Sequence, residues 1–104
     1  MQNNIFDIWA IPHEGEIAED VLKYKNVHIK RIVSSATLKE TTFCQKEAEW
    51  VVLLQGNAKL LMNDDVYILE AGDYLFIPAL QKHTIQQVQK GTLWLTIHIY
   101  DKDI

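Results

Sequence analysis

Residues 72–86, GDYLFIPALQKHTIQ, place a turn, a four-residue apolar run, a proline and a histidine in close succession. Gly72-Asp73 supplies a turn, and Tyr74 to Ile77 is too short for a helix but long enough for a strand. Pro78 lacks an amide proton and ends that strand, so the chain must turn a corner before Ile85 to Val88 starts the next one. The stretch therefore predicts two short strands joined at a sheet corner, with His83 at the mouth of the second.

The same rhythm extends in both directions. Val27 to Ser34, Trp50 to Leu54, Ala58 to Met62, Val66 to Leu69 and Thr92 to Tyr100 are short β-rich runs. Gln55-Gly56-Asn57, Asn63-Asp64-Asp65, Glu70-Ala71-Gly72-Asp73 and Lys90-Gly91 separate them with residues suited to tight turns. Strands following one another without helices cannot form a parallel α/β sheet, so an antiparallel sandwich or barrel is expected. The exception is Glu14 to Tyr24, where Ile17, Val21, Leu22 and Tyr24 fit one helical stripe and the acidic residues load its first turns. The expected organisation is one domain over residues 1–104: an arm and short helix over 1–26, then a β-barrel over 27–100.

Composition narrows the function classes. The 104 residues are 48% apolar and 23% charged, as in globular domains. Ten basic against fourteen acidic side chains give a net charge of −4, so no positive field favours nucleic acid. No apolar run is long enough for a membrane helix, and the first residues lack a secretory signal, which makes a cytoplasmic location the expectation. Cys44 is the single cysteine, excluding an intrachain disulfide and a four-cysteine zinc site.

Strand alternation assigns directions. Glu49 shares a side with Val51, Leu53 and Gln55, which turns its carboxylate toward the interior and calls for a nearby partner. Arg31, on the side of Val27, Ile29 and Val33, is a candidate counter-ion. On the last run Trp94, Thr96, His98 and Tyr100 form an aromatic and polar row expected to face a cavity, opposite an aliphatic row of Leu93, Leu95, Ile97 and Ile99. His13 and His28 have no pattern around them and are expected at the surface. Trp50 and Trp94 are expected as core or interface aromatics. Neither Ser34-Ser35 nor Cys44 has a base and an orienting group in its sequence context, and the glycines stand singly, so nucleophilic catalysis and phosphate cradling find no support.

The order of glycines, Glu49, Pro78 and His83 resembles the cupin superfamily, whose two motifs are G(X)5HXH(X)3-4E(X)6G and G(X)5PXG(X)2H(X)3N. Glu49 and Gly56 match the end of the first. Gly72, Pro78 and His83 match the second, with Leu80 at its glycine and Gln87 at its asparagine. The resemblance spans about Arg31 to Tyr100 and implies a small all-β jelly-roll, or double-stranded β-helix, barrel. Small cupins commonly pair, so it also implies a homodimer. In such cupins two first-motif histidines, the glutamate and the second-motif histidine hold one divalent metal. Here the histidine positions fall on Phe43 and Gln45 or on Thr42 and Cys44. The chain also looks like short bacterial single-domain cupins with a degenerate first motif Trp-Tyr-Asp-Gln, against which Thr42-Phe43-Cys44-Gln45 puts Cys44 in place of an acid.

Two functions follow from that resemblance. In the first, Glu49 and His83, with His98 or Cys44, hold one divalent ion (nickel, zinc, iron or manganese) facing a small-molecule ligand. In the second, the protein is a metal-free binding or structural cupin in which Glu49 pairs with Arg31 or His83.

Overall fold

The computed structural model describes residues 3–38 and 41–104. Nine strands account for its regular structure: β1 Glu16–Tyr24, β2 Val27–Ser34, β3 Thr42–Phe43, β4 Ala48–Gln55, β5 Asn57–Met62, β6 Asp65–Glu70, β7 Tyr74–Ile77, β8 His83–Val88 and β9 Thr92–Ile99. They hydrogen-bond as two antiparallel sheets, five strands in the order β1-β2-β9-β4-β7 and four in the order β3-β8-β5-β6. The all-β architecture is as expected, but the strands form two facing sheets and not one closed, hydrogen-bonded barrel. No helix among the described residues is long and apolar enough to cross a membrane.

The expected helix over Glu14 to Tyr24 is absent, and β1 stands in its place. Its register against β2 pairs Ile17 with Val33, Glu19 with Arg31, Leu22 with Ile29 and Tyr24 with Val27, shifting between Asp20 and Leu22. The shift is a bulge that admits one extra residue. Ile17, Glu19, Leu22 and Tyr24 therefore share the outer face at spacings two, three and two. That broken period-two pattern imitates a helical stripe, which is why local spacing misassigns the segment.

The turns follow backbone chemistry. Asn63 and Asp64 both take left-handed conformations, φ 53° and 64°, between the last β5 pair and the first β6 residue, as a two-residue hairpin turn requires. Gly56 has φ 91°, and a Cβ there would lie 2.4 Å from Thr92 Oγ1, so the β4–β5 corner accepts no side chain. Leu80, at the glycine position of the second motif, is also left-handed with φ 63°.

The core lies between the sheets, where Val51, Leu53 and Trp94 from the five-stranded sheet meet Leu60, Met62, Leu69 and Val88 from the other. Aliphatic interdigitation closes this part of the sandwich and leaves the polar inner residues grouped beside it. The outer face of the five-stranded sheet carries Trp50 and Tyr74, whose rings lie 5.6 Å apart, with Tyr74, Phe76 and Ile99 exposed.

Candidate functional site

Between the sheets lies a cavity of about 180 Å³. Cross-strand register builds its wall in rows. His28, His98 and Glu49 are successive partners across β2, β9 and β4; one row on come Lys30, Thr96 and Val51, and then Ile32, Trp94 and Leu53. Partners directly opposite in an antiparallel sheet point to the same face, so the polar rows stand together above the apolar floor. The opposite sheet contributes Leu60, His83 and Ile85.

Glu49, His83 and His98 all line this cavity and are all buried. Glu49 does not pair with Arg31, because β2 turns Arg31 to the outer face. There it donates to Glu19 Oε1 at 2.7 Å and to the main-chain carbonyls of Asn4, Ile5 and Asp7. Arg31 thus holds the N-terminal arm against the sheet. The partner of Glu49 is an amide: Gln45 Nε2 donates to Glu49 Oε1, which leaves the second carboxylate oxygen for other contacts.

His83 Nδ1 lies 3.1 Å from the carbonyl of Gln81. A carbonyl only accepts, so Nδ1 carries a proton and donates it there. Phe43 stacks on this ring at 5.7 Å between centroids. His98 is committed at both nitrogens, Nδ1 to Glu47 Oε2 at 2.8 Å and Nε2 to Thr96 Oγ1 at 3.1 Å. His28 is buried, contrary to its expected surface placement, and meets Asp20 Oδ1 at 2.7 Å.

Phe43, at the end of β3, and Gln45 just beyond it line the cavity, while Cys44 between them faces out. Cys44 is exposed, with its thiol directed at the carbonyl of Leu80 3.5 Å away. Of the two placements open for the first-motif pair, Phe43 and Gln45 are the residues that face the site.

Sequence reasoning missed Glu16. As a residue it lies at the exposed edge strand, but its carboxylate turns inward beside Ser34, whose hydroxyl donates to Glu16 Oε2 at 3.1 Å. Burial pushes the Glu16 carboxyl above its ordinary value; the Ser34 bond opposes this, and the charge of Glu49 adds to it. Glu47 was missed as well. Burial pushes its carboxyl up, but bonds from its own backbone amide, His98 and Tyr100 outweigh that and hold it below the ordinary value. Recognising β1 as a strand would have exposed Glu16, since it shares a face with Ala18. Nothing around Glu47 in the sequence marks it.

With this geometry in place, the comparisons settle the family. The cupin domain family model matches residues 40–98. The chain belongs to the cupin family. A protein of Ralstonia eutropha JMP134, provisionally described as a mannose-6-phosphate isomerase, has a similar structure at TM-score 0.84 and 25% identity, covering 96% of this chain and 98% of its own. A cupin superfamily protein of Desulfitobacterium hafniense DCB-2 superposes at TM-score 0.75 with 20% identity over 88% of this chain and 84% of its own. KdgF from a Halomonas species does so at TM-score 0.75 with 12% identity, over 85% and 81%. No curated protein matches.

The residues of this cupin do not fit the divalent metal that the family often carries. Among the described residues no group of three or more histidine, cysteine, aspartate or glutamate side chains is placed to hold an ion. The chemistry agrees: Phe43 is no ligand, Gln45 offers an amide, His98 has both nitrogens engaged and Cys44 faces outward. Glu16, Glu49 and His83 keep donor atoms toward the cavity but are not brought together as a three-ligand group, which leaves the set short of what a resident ion needs.

Proposed function

We propose that this cupin binds a small, neutral, hydroxyl-rich molecule in the cavity between its sheets, without a divalent metal. The observation that carries this reading is the pair of carboxylates, Glu16 and Glu49, each tied through one oxygen to a donor of the protein. The remaining oxygens favour hydrogen-bond donors on a ligand. Lys30 is the sole lysine or arginine among the lining residues, which disfavours a phosphate or dicarboxylate against two acidic groups. Trp94 and Ile85 supply the apolar surface against which a ligand ring or chain can pack.

The sugar-phosphate label of the Ralstonia relative supports the hydroxylated class and not the phosphate part, since Arg31 faces away from the cavity. The test is a nuclear magnetic resonance titration of metal-stripped protein with D-xylose, D-mannose and mannose 6-phosphate. The expected result is perturbation of His83 and Trp94 resonances by a neutral sugar. Response to the phosphate alone, or only after a divalent ion is added, overturns the reading.

We propose also that two copies pair through the outer face of the five-stranded sheet. An isologous contact covers the same apolar patch on both partners, and Tyr74, Phe76 and Ile99 present such a patch.

A further inference from the structure

A second constellation, which does not include Glu16 or Glu49, reaches the cavity wall through Thr96 and His98. Glu47 sits on the bend that precedes β4, and its carboxylate reaches His98 Nδ1 at 2.8 Å, also accepting from the Tyr100 hydroxyl at 3.3 Å. A carboxylate only accepts, so in the neutral form of the ring the proton sits on Nδ1. The lone pair on Nε2 then faces Thr96 Oγ1, 3.1 Å away, and the threonine hydroxyl donates to it. Thr96 and His98 are almost fully buried, and both line the cavity. The order of groups, acid to imidazole to hydroxyl, is that of an oriented base acting through an alcohol.

We propose that Glu47, His98 and Thr96 form a proton relay, with the Thr96 hydroxyl as the general-base group of the cavity acting on an O–H of a bound neutral polyol or sugar. The ligand class rests on the reading given above; the relay does not. In the step, the ligand O–H bond breaks as a new bond to hydrogen forms at Thr96 Oγ1. The original threonine proton passes to His98 Nε2, and the electron pair stays on the ligand oxygen. The imidazolium so formed is stabilised by the Glu47 carboxylate, and reversal returns every proton. No oxidant, metal or leaving group is required. Glu47 is a positioning residue, setting the tautomer and the angle of the ring. The other charged groups near His98 are Glu49 beside it on β4, Lys30 one row away, and His28, whose ring centroid is 6.4 Å distant and which is itself held by Asp20.

The experiment is nitrogen-15 spectroscopy of the histidine-labelled full chain, with Glu47→Gln, Thr96→Val and Thr96→Ser variants. Without ligand at neutral pH, His98 is expected in the Nδ1-protonated form. Thr96→Val should move its Nε2 resonance toward that of an unbonded lone pair while leaving His83 in place, Thr96→Ser should restore it, and Glu47→Gln should remove the tautomer preference. A His98 protonated on Nε2, or an Nε2 resonance that ignores loss of the threonine hydroxyl in a folded variant, overturns the relay. D-xylose is then added. Movement of His83, Trp94 and His98 Nε2 together, with the His98 response lost in a Thr96→Val protein that still binds, supports the relay. Movement of His83 and Trp94 without His98 overturns it. Absence of any response overturns the ligand class and leaves the relay to be decided by the ligand-free spectra.

Discussion

Trp94 donates its indole N–H to Ser34 Oγ at 3.0 Å, and this contact sets the direction of the hydrogen bonds at one end of the cavity. An indole nitrogen cannot accept, so the Ser34 oxygen accepts from it and the serine proton points to Glu16 Oε2, 3.1 Å away. Glu16 is held as an acceptor at that oxygen, within the field of Glu49.

Glu16→Gln is expected to raise the melting temperature at pH 7. The carboxyl has its affinity for a proton raised by burial and by Glu49, with Ser34 opposing. A raised acid makes the folded state less stable as pH climbs through the ordinary value near 4.5 toward the folded one. Glutamine keeps an acceptor for Ser34 and removes the charge. Melting curves from pH 3.5 to 8 should show a gain at neutral pH that closes below the ordinary value; a loss of stability at pH 7 contradicts the placement of Glu16.

Glu47 has the opposite sign. Because its folded proton affinity is lowered, its stabilisation is complete above the ordinary value and fades as pH falls through the lower, folded one. Glu47→Gln should cost about 1 kcal/mol at pH 7, a charge-assisted bond discounted for partial exposure. The difference from the unmodified protein should shrink in acid. Denaturant titrations at pH 7 and pH 3 decide it, and a difference that grows in acid contradicts the assignment.

Leu80→Gly should stabilise the protein. A left-handed backbone costs a non-glycine residue about 1–2 kcal/mol, and glycine returns about 0.5–1 kcal/mol of that through its freer unfolded chain. Leu80 is 69% exposed, so little burial is lost. The expected net gain is about 0.5–1 kcal/mol by urea denaturation, and a destabilised variant contradicts the strain argument.

If two copies pair as proposed, Phe76→Lys should convert the dimer to monomer. Phe76 is 54% exposed on the outer face beside Tyr74 and Trp50, and a lysine there places charge at the centre of the surface proposed for pairing. Light scattering coupled to size exclusion measures it; an unmodified protein that elutes as a monomer at high concentration refutes the pairing.

Much of the fold is legible in the sequence. The runs Val27 to Ser34 and Tyr74 to Ile77 coincide with β2 and β7, because short β-rich runs bounded by turn signals and proline are too short for helices and leave one option. The inward row Trp94, Thr96 and His98 followed from the same period, as did the burial of Glu49. β1 was illegible because its bulge breaks the period at Val21. The link from Glu49 to Arg31 failed because it required them to face the same side, and register with Glu19 shows Arg31 on the outer one. Glu47 lies outside a strand, where no periodicity assigns a direction, so only the fold brings it to His98.

The cavity is read as a metal-independent receptor for neutral hydroxylated molecules anchored on Glu16 and Glu49. Its most direct test is calorimetric titration of D-mannose into protein shown by elemental analysis to be free of nickel, zinc, iron and manganese, beside the same titration of Glu49→Gln. The account predicts saturable binding in the metal-free protein, weakened about tenfold by the substitution, which corresponds to one hydrogen bond to a charged group of about 1.4 kcal/mol. Binding that appears only once one of those metals is restored, and is abolished by His83→Ala, contradicts it.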